Sequence, residues 1–158
     1  MTQPNTESEL WIARMVRDHA GAVRGYLLGM VKDGSLADDL AQEAFRRLWL
    51  ARDRYRDQGQ ERAYLLRIAD RLVIDHARRK RPETLVDPHE WRGGEPVSAD
   101  AAARNWCGIK SRVKCKELPE QLSEGQRRVL LLRFYGSMEF HEIAKAMDCP
   151  LGTVLSHC

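Results

Sequence analysis

The stretch Ser35–Leu50, SLADDLAQEAFRRLWL, constrains the fold more than any other part of this chain. Its apolar residues come in pairs that recur every four positions, from Leu36 and Ala37 at its start to Leu48 and Trp49 at its end. Such spacing is typical of an amphipathic α-helix with one apolar stripe and one polar stripe. The stretch therefore predicts a helix that packs on a core along one side and meets solvent or a partner along the other.

The polar stripe of this helix is acidic. We expect Ser35 to begin the helix, with Asp38 three residues later completing a capping box. Asp39, Gln42 and Glu43 then lie one turn apart, without a lysine at the spacing that favours an ion pair. Helix formation alone does not require such a row of unpaired groups, so the stripe is a candidate binding surface.

The composition of the 158 residues fits a globular protein, with 43% hydrophobic and 31% charged residues. No apolar run approaches the ~20 residues that a membrane-crossing helix needs, and the polar N-terminus lacks the features of an export signal. We therefore expect a cytoplasmic protein without membrane insertion. The net charge of +3 is modest, but basic residues concentrate at Arg78–Arg81 and Lys110–Lys116, a distribution that favours an acidic partner such as nucleic acid.

Residues 1–81 predict a helical domain. Residues 1–7 indicate a frayed tail, and apolar positions then advance by three and four across Ser8–Val31. We expect the Asp-His-Ala-Gly step at 18–21 to break this pattern into two helices. After the acidic stripe, Glu61–Lys80 carries another long amphipathic pattern, which predicts a further helix.

Residues 82–98 predict a linker, because they hold three prolines and two glycines without helical periodicity. Residues 99–158 predict a second helical domain. Within it, Ser123 and Gln126 form a predicted capping box for the helix RRVLLLRFY, which we expect Gly136 to end. No strand candidate is present. The expected fold class is all-α, with two small helical domains joined by a Pro/Gly-rich linker.

The end of the second domain has the spacing of a helix-turn-helix motif. Ala144 is small where two helices would cross, and Asp148 stands four residues later where a left-handed turn residue is wanted. Val154, ten residues after Ala144, would pack the second helix onto the first. An ordinary helical hairpin fits the same pattern. In the helix-turn-helix interpretation, residues after Gly152 face the DNA major groove.

The helix predicted at Glu61–Arg81 carries basic residues along its solvent side. Basic residues at a helix C-terminus complement the helix dipole by ~0.3–1 kcal/mol each, which accounts for Arg78–Arg81 without a ligand. That effect does not explain the arginines nearer the N-terminus. Tyr55 and Tyr64 are close in sequence, and the combination of aromatic and cationic side chains is used in binding single-stranded DNA.

No arrangement of residues typical of an enzyme is found. His141–Lys145 departs from the zinc motif HExxH because Lys145 replaces the second histidine. The four cysteines form no CxxC pair, and we expect free thiols. The remaining option is a metal cluster on the acidic stripe, formed by Asp38, Asp39 and Glu43. We expect no catalysis, no metal and no cofactor.

Three groups of motifs, in the same order along the chain, resemble the bacterial sigma-70 family. They are ADDLAQEAF at 37–45, YLLRIADRLVIDHARR at 64–79, and LP at 118–119 with EIA at 142–144 and GTV at 152–154. The resemblance covers most of residues 8–81 and 116–158 and is closest to the small two-domain extracytoplasmic-function (ECF) type. It implies a sigma factor that recruits core RNA polymerase to promoter DNA and is monomeric when free. It also implies an anti-sigma factor as a candidate inhibitory partner.

The resemblance implies three groups of site residues. The acidic stripe and its neighbours would dock on core RNA polymerase through Asp38, Asp39, Gln42, Glu43, Phe45 and Arg46. The Tyr64–Arg81 helix would melt and read the minus-ten region, capturing flipped bases while arginines hold phosphate, with the set Arg62, Tyr64, Arg67, Arg71, Asp75, Arg78, Arg79, Lys80 and Arg81. The helix-turn-helix would read the minus-thirty-five element through Arg133, Thr153, Leu155, Ser156 and His157.

Some residues depart from the family pattern. Asp70 is expected to bring a negative charge near the strand to be melted, and Glu139 replaces a serine cap, so we expect a weaker start of the next helix. The sequence ends at Cys158, about two turns into the predicted recognition helix. Leu155 and His157 stand where the family carries basic residues. We therefore expect binding to core polymerase with poor reading of the upstream promoter element.

Two other interpretations stay open. One is a helix-turn-helix regulator that binds duplex DNA without polymerase. The other is a truncated sigma factor that binds polymerase but cannot read the upstream element. The acidic stripe separates the first of these from a sigma factor, because a simple repressor has no use for a polymerase-docking surface.

Overall fold

The computed structural model describes residues 6–56, 59–80 and 122–157, which contain six α-helices and no strand. The helices are α1 (Thr6–Val31), α2 (Gly34–Leu50), α3 (Glu61–Lys80), α4 (Glu124–Gly136), α5 (Phe140–Met147) and α6 (Leu151–Ser156). The chain divides into two compact units between His76 and Ala77. The predicted all-α class with two helical domains is confirmed. The linker at 82–98, Arg81, Lys110–Lys116 and three of the four cysteines lie outside the described residues.

Helix α1 is continuous, so the predicted break at residues 18–21 is wrong. Gly21 lies within the helix, is exposed, and costs ~1 kcal/mol relative to alanine. Met15 and Val23, on either side of it, are both fully buried. Burying each such side chain contributes ~1.5–3 kcal/mol. Packing on both sides therefore outweighs the local preference for a break.

Helix α2 begins earlier than predicted. Lys32 adopts a left-handed conformation with φ 55°, which reverses the chain after α1. Asp33 then caps α2, because its Oδ1 accepts a hydrogen bond from the Leu36 backbone N–H at 3.1 Å. The prediction that Ser35 begins the helix is wrong, since Gly34 and Ser35 already lie inside it.

The core of the first unit is formed by the apolar sides of its three helices. α1 and α2 pack against each other as a helical hairpin. The predicted apolar stripe of α2 is confirmed, since its buried residues recur at three- and four-residue intervals. The buried residues are Met15, Val23, Tyr26 and Leu27 of α1, Ala37, Leu40, Ala44 and Leu48 of α2, and Leu65, Leu66, Ala69, Asp70, Leu72 and Val73 of α3.

Helix α4 of the second unit has the predicted capping box. Ser123 Oγ accepts from the Gln126 N–H at 3.3 Å, and the Gln126 side chain accepts from the Ser123 N–H at 3.1 Å. Gly136 lies inside α4, and the left-handed residue that ends the helix is Ser137, with φ 50°. Residues 129–132 of α4 are all buried.

Candidate protein-docking and nucleic-acid interfaces

The acidic ridge, which we define as Asp38, Asp39, Gln42 and Glu43, follows the polar side of α2. Asp38, Asp39 and Gln42 are exposed and Glu43 is half-buried, while the apolar stripe of the same turns is buried. The helical period of the sequence thus separates a core side from a polar side, as predicted. Phe45, a further predicted docking residue, is half-buried next to the ridge.

Glu43 is held by two arginines of its own helix. Arg46 donates to both carboxylate oxygens, with Nε at 2.7 Å and Nη2 at 2.9 Å, and Arg47 Nε donates at 3.0 Å. The hydrogen bonds from Arg46, followed by those from Arg47, lower the pKa of Glu43 to about 2. The expectation that Glu43 stands unpaired is therefore wrong. The sequence carries the signal for this pairing, because Arg46 and Arg47 stand at i+3 and i+4 from Glu43.

The rest of the acidic ridge has two parts. Asp38 is paired with an arginine, and Asp39 and Gln42, which we call the open part, are not paired within the described residues. Asp38 Oδ1 accepts from Arg24 Nε of α1 at 2.6 Å, with both side chains about half exposed. Within the described residues, no ion pair or hydrogen bond involves the side chains of Asp39 or Gln42. Asp39 and Gln42 are therefore the acceptors that the ridge presents to an incoming basic partner.

Helix α3 presents a basic face on its solvent side. Its members are all exposed, and they are Arg62, Arg67, Arg71, Arg78, Arg79 and Lys80. The opposite side of α3 is buried in the core of the first unit. Asp75, also a predicted DNA contact, is half-exposed with its Oδ2 3.9 Å from Arg47 Nη1 of α2. The six basic residues of α3 that are predicted to contact the minus-ten region are therefore all exposed, whereas Asp75 lies toward α2, and Arg81 is outside the described residues.

Tyr64 lies in an aromatic row rather than on the open surface. Its ring centroid is 5.0 Å from that of Tyr55, which is 5.6 Å from that of Trp11 in α1. All three side chains are half-buried. Glu61, at the start of α3, accepts from Arg14 Nη2 at 2.6 Å and lies 3.3 Å from His19 Nε2. Aromatic and ionic contacts therefore fix the N-terminal end of α3 on α1.

The Asp70 side chain is not exposed on the basic face. It is fully buried on the core side of α3, and its Oδ1 accepts from the Tyr26 hydroxyl at 2.6 Å. The expectation that Asp70 places a charge beside the promoter strand is therefore wrong. A sequence signal existed, since Asp70 follows Leu66 by four positions and precedes Val73 by three, which puts it on the apolar side.

The second unit contains the predicted helix-turn-helix geometry. Asp148 joins α5 to α6 with φ 53° and ψ 46°, the left-handed conformation expected at the turn. Ala144 and Val154, where the two helices approach, are buried. The Cys149 N–H donates to the Ala144 carbonyl at 3.1 Å and closes the turn. Burial raises the pKa of the free Cys149 thiol.

The start of α5 is better stabilised than predicted. The Glu142 carboxylate accepts from the Glu139 N–H at 2.8 Å, which supplies one half of a capping box. Arg133, a predicted DNA contact, donates from Nη1 to the Met138 carbonyl at 2.7 Å and to Glu139 Oε1 at 3.2 Å. Arg133 therefore connects α4 to the start of α5, with its side chain only 21% exposed.

The predicted contacts on α6 fall into two classes. Thr153 and Ser156 are half-exposed, and Ser156 Oγ donates to the Thr153 carbonyl at 2.7 Å. Leu155 and His157 are buried, at 7% and 8% exposure. Burial lowers the pKa of His157. Neither Leu155 nor His157 offers a surface to DNA in this structure, which corrects the expectation from sequence.

In the described part of the chain, no group of three or more His, Cys, Asp or Glu side chains is arranged to hold a metal ion. In particular, the carboxylates of Asp38 and Glu43 each bind an arginine. None of the described helices combines the length and apolar character that a membrane span requires.

Comparison with known families gives two matches that follow the two units. Residues 15–83 match Sigma-70 region 2, and residues 116–157 match Sigma-70, region 4. The acidic ridge and the basic face lie in the first match, and the helix-turn-helix lies in the second.

Several curated relatives align along most of the chain. The probable RNA polymerase sigma-C factor of Mycobacterium bovis is 33% identical over 128 residues, which are 80% of this chain and 66% of the relative. The RNA polymerase sigma-H factor of Pseudomonas aeruginosa is 28% identical over 149 residues, 90% of this chain and 77% of the relative. The ECF RNA polymerase sigma factor SigW of Bacillus subtilis is 29% identical over 140 residues, 81% and 71% respectively.

The chain spans a little under two thirds of the length of the sigma-C relative. Two region matches in the expected order, together with these relatives, carry the classification. The chain therefore belongs to the sigma-70 family of RNA polymerase sigma factors, and its type is ECF.

Proposed function

We propose that this protein directs core RNA polymerase to promoter DNA in the cytoplasm and acts without catalysis of its own. The observation that carries the proposal is the separation of charge between helices α2 and α3. One helix presents Asp39 and Gln42 as open acceptors, and another presents a face of exposed basic residues. A protein that must bind both a basic protein surface and the DNA backbone needs both surfaces.

The division of roles follows from the contacts. Asp39 and Gln42 bind the polymerase directly, while Glu43 holds Arg46 and Arg47 in place. The basic face of α3 holds the phosphates of the promoter strand near the minus-ten region. Thr153 and Ser156, on the partly exposed side of α6, remain the candidate contacts to the minus-thirty-five element.

A reconstituted transcription assay tests the proposal. Core polymerase alone, core polymerase with this chain, and core polymerase with the Asp39→Arg variant are each given the same pool of promoter fragments. We expect specific transcripts only with the unmodified chain. Transcripts that do not depend on the chain, or that are unchanged by Asp39→Arg, would contradict the proposal.

The helix-turn-helix geometry by itself also fits a regulator that binds duplex DNA without polymerase. The two functions differ in what they require. A regulator would retard promoter DNA in a gel without core enzyme and would be indifferent to Asp39→Arg. A sigma factor needs the core enzyme for specific binding and is sensitive to that change.

A further inference from the structure

We propose that Tyr26 and Asp70 are positioning residues that set the orientation of α3, and with it the direction of the basic face. This inference rests on the proposed function for its consequence, but the positioning itself does not depend on polymerase or DNA. The two side chains come from α1 and α3, are 44 residues apart in sequence, and are both fully buried.

The hydrogen bond between Tyr26 and Asp70 depends on the relative orientation of their two helices. A carboxyl group in the core loses its water contacts, and it is tolerated there only where donors replace them. The Tyr26 hydroxyl supplies such a donor at 2.6 Å. Rotation of α3 about its axis would break this bond and separate a buried donor from its buried acceptor. The bond therefore favours one orientation of the helix over its neighbours.

The apolar contacts around Tyr26 and Asp70 depend much less on the orientation of α3. Leu66, Ala69 and Val73, which share the core side of α3 with Asp70, pack without directional bonds. Cores of this kind accept several arrangements that bury similar apolar area. A buried polar pair favours one of these packing arrangements over the others, as polar core residues do in coiled coils.

The orientation matters because two residues of the basic face flank Asp70 in the sequence. Arg71 is the following residue, and Arg67 precedes Asp70 by three positions. One residue of rotation is about 100° around the helix axis, so a shift of that size would turn Arg71 toward the core and Asp70 toward solvent. The contacts of Glu61 with Arg14 and His19 fix only the N-terminal end of α3, two to three turns before Asp70.

Three variants test the inference at a temperature where all are folded. Asp70→Asn keeps an acceptor for the tyrosine hydroxyl, Asp70→Leu replaces the carboxyl by an apolar group of similar size, and Tyr26→Phe removes only the donor. Each is assayed for affinity to core polymerase and for promoter opening. Hydrogen exchange of the α3 amides is measured on the free chain.

We expect Asp70→Asn to behave like the unmodified chain. Tyr26→Phe and Asp70→Leu should lose promoter opening by about tenfold or more, equivalent to ~1.4 kcal/mol, with unchanged affinity for core polymerase. Their α3 amides should exchange faster, while those of α2 do not change. A role in stability alone would not separate promoter opening from polymerase binding.

Unchanged α3 exchange and unchanged promoter opening in both Tyr26→Phe and Asp70→Leu would overturn the inference. If Asp70→Leu fails to fold, Tyr26→Phe decides, because the removal of one hydroxyl leaves the core volume nearly constant. If the unmodified chain itself opens no promoter, the proposed function fails. The exchange measurement then still decides whether the pair positions α3.

Discussion

The arginines around Glu43 decide what the acidic ridge offers to a partner. Arg46 and Arg47 occupy both carboxylate oxygens, so Glu43 has little capacity left for a basic group on another protein. Asp39 lies one turn earlier, is exposed, and has no such arginine among the described residues. We therefore expect substitution of Asp39 to weaken binding of a partner protein, and substitution of Glu43 to release Arg46 and Arg47.

The protonation of Glu43 is a first prediction at this scale. Its pKa is about 2 in the folded chain, against an ordinary value of 4.5. The ion pairs therefore contribute stability above pH 4.5, and this contribution is lost as the pH falls toward 2. NMR titration of the Glu43 carboxyl should show the low pKa, and Arg46→Met should raise it. A Glu43 pKa near 4.5 in the unmodified chain would contradict the pairing of Glu43 with Arg46 and Arg47.

The turn residue Asp148 gives a second prediction. A residue other than glycine in the left-handed conformation is disfavoured by ~1–2 kcal/mol, and Asp148 is exposed, so a change there acts mainly on the backbone. We expect Asp148→Gly to raise the free energy of unfolding by up to ~1 kcal/mol and Asp148→Val to lower it. Chemical denaturation measures both. Lys145→Gly, one turn earlier in α5, is the matched control and should destabilise by ~1 kcal/mol.

At the scale of helices, a substitution at Gly21 tests whether α1 runs unbroken through residues 18–21. An alanine side chain at Gly21 would have no atom within 4 Å, so the site can accept it. If the helix runs through this position, Gly21→Ala should raise the free energy of unfolding by ~0.5–1 kcal/mol. Thermal unfolding followed by circular dichroism measures the change. A neutral or destabilising effect would favour a break at residues 18–21.

The helices that were predicted well have strong local signals. The sequence predicts the helix at Glu61–Lys80 with the observed bounds and the observed capping box of α4, because apolar periodicity or capping residues mark them locally. The break expected near Gly21 failed because the local preference is small against the burial of Met15 and Val23. Local pattern thus predicts an element reliably where packing does not oppose it.

The candidate sites were predicted less completely than the helices. The polar stripe of α2 and the basic face of α3 follow from helical periodicity, so their exposure was predictable. The bond between Tyr26 and Asp70 joins residues 44 positions apart, and no local pattern indicates it. The burial of Leu155 and His157 likewise depends on packing within the second unit, which spacing alone does not reveal.

For the whole molecule, the basic face should make promoter binding depend on salt. Each phosphate contact contributes ~0.7–0.9 to the slope of log affinity against log salt concentration. We expect Arg71→Ala to reduce the slope of holoenzyme binding to promoter DNA by about one such contact. Arg17→Ala is the matched control, because Arg17 is 75% exposed on α1 and lies outside the basic face. Equal slopes for both variants would show that Arg71 does not hold a phosphate.

The proposed function depends most on the binding of core RNA polymerase by the open part of the acidic ridge. The most direct measurement is the affinity of the purified chain for core enzyme, with Asp39→Arg compared with Asp18→Arg, an exposed acidic residue of α1 outside the ridge. We expect Asp39→Arg to weaken binding by about 100-fold, which corresponds to ~2.7 kcal/mol, and Asp18→Arg to bind like the unmodified chain. Equal affinity for all three proteins would contradict the proposed function.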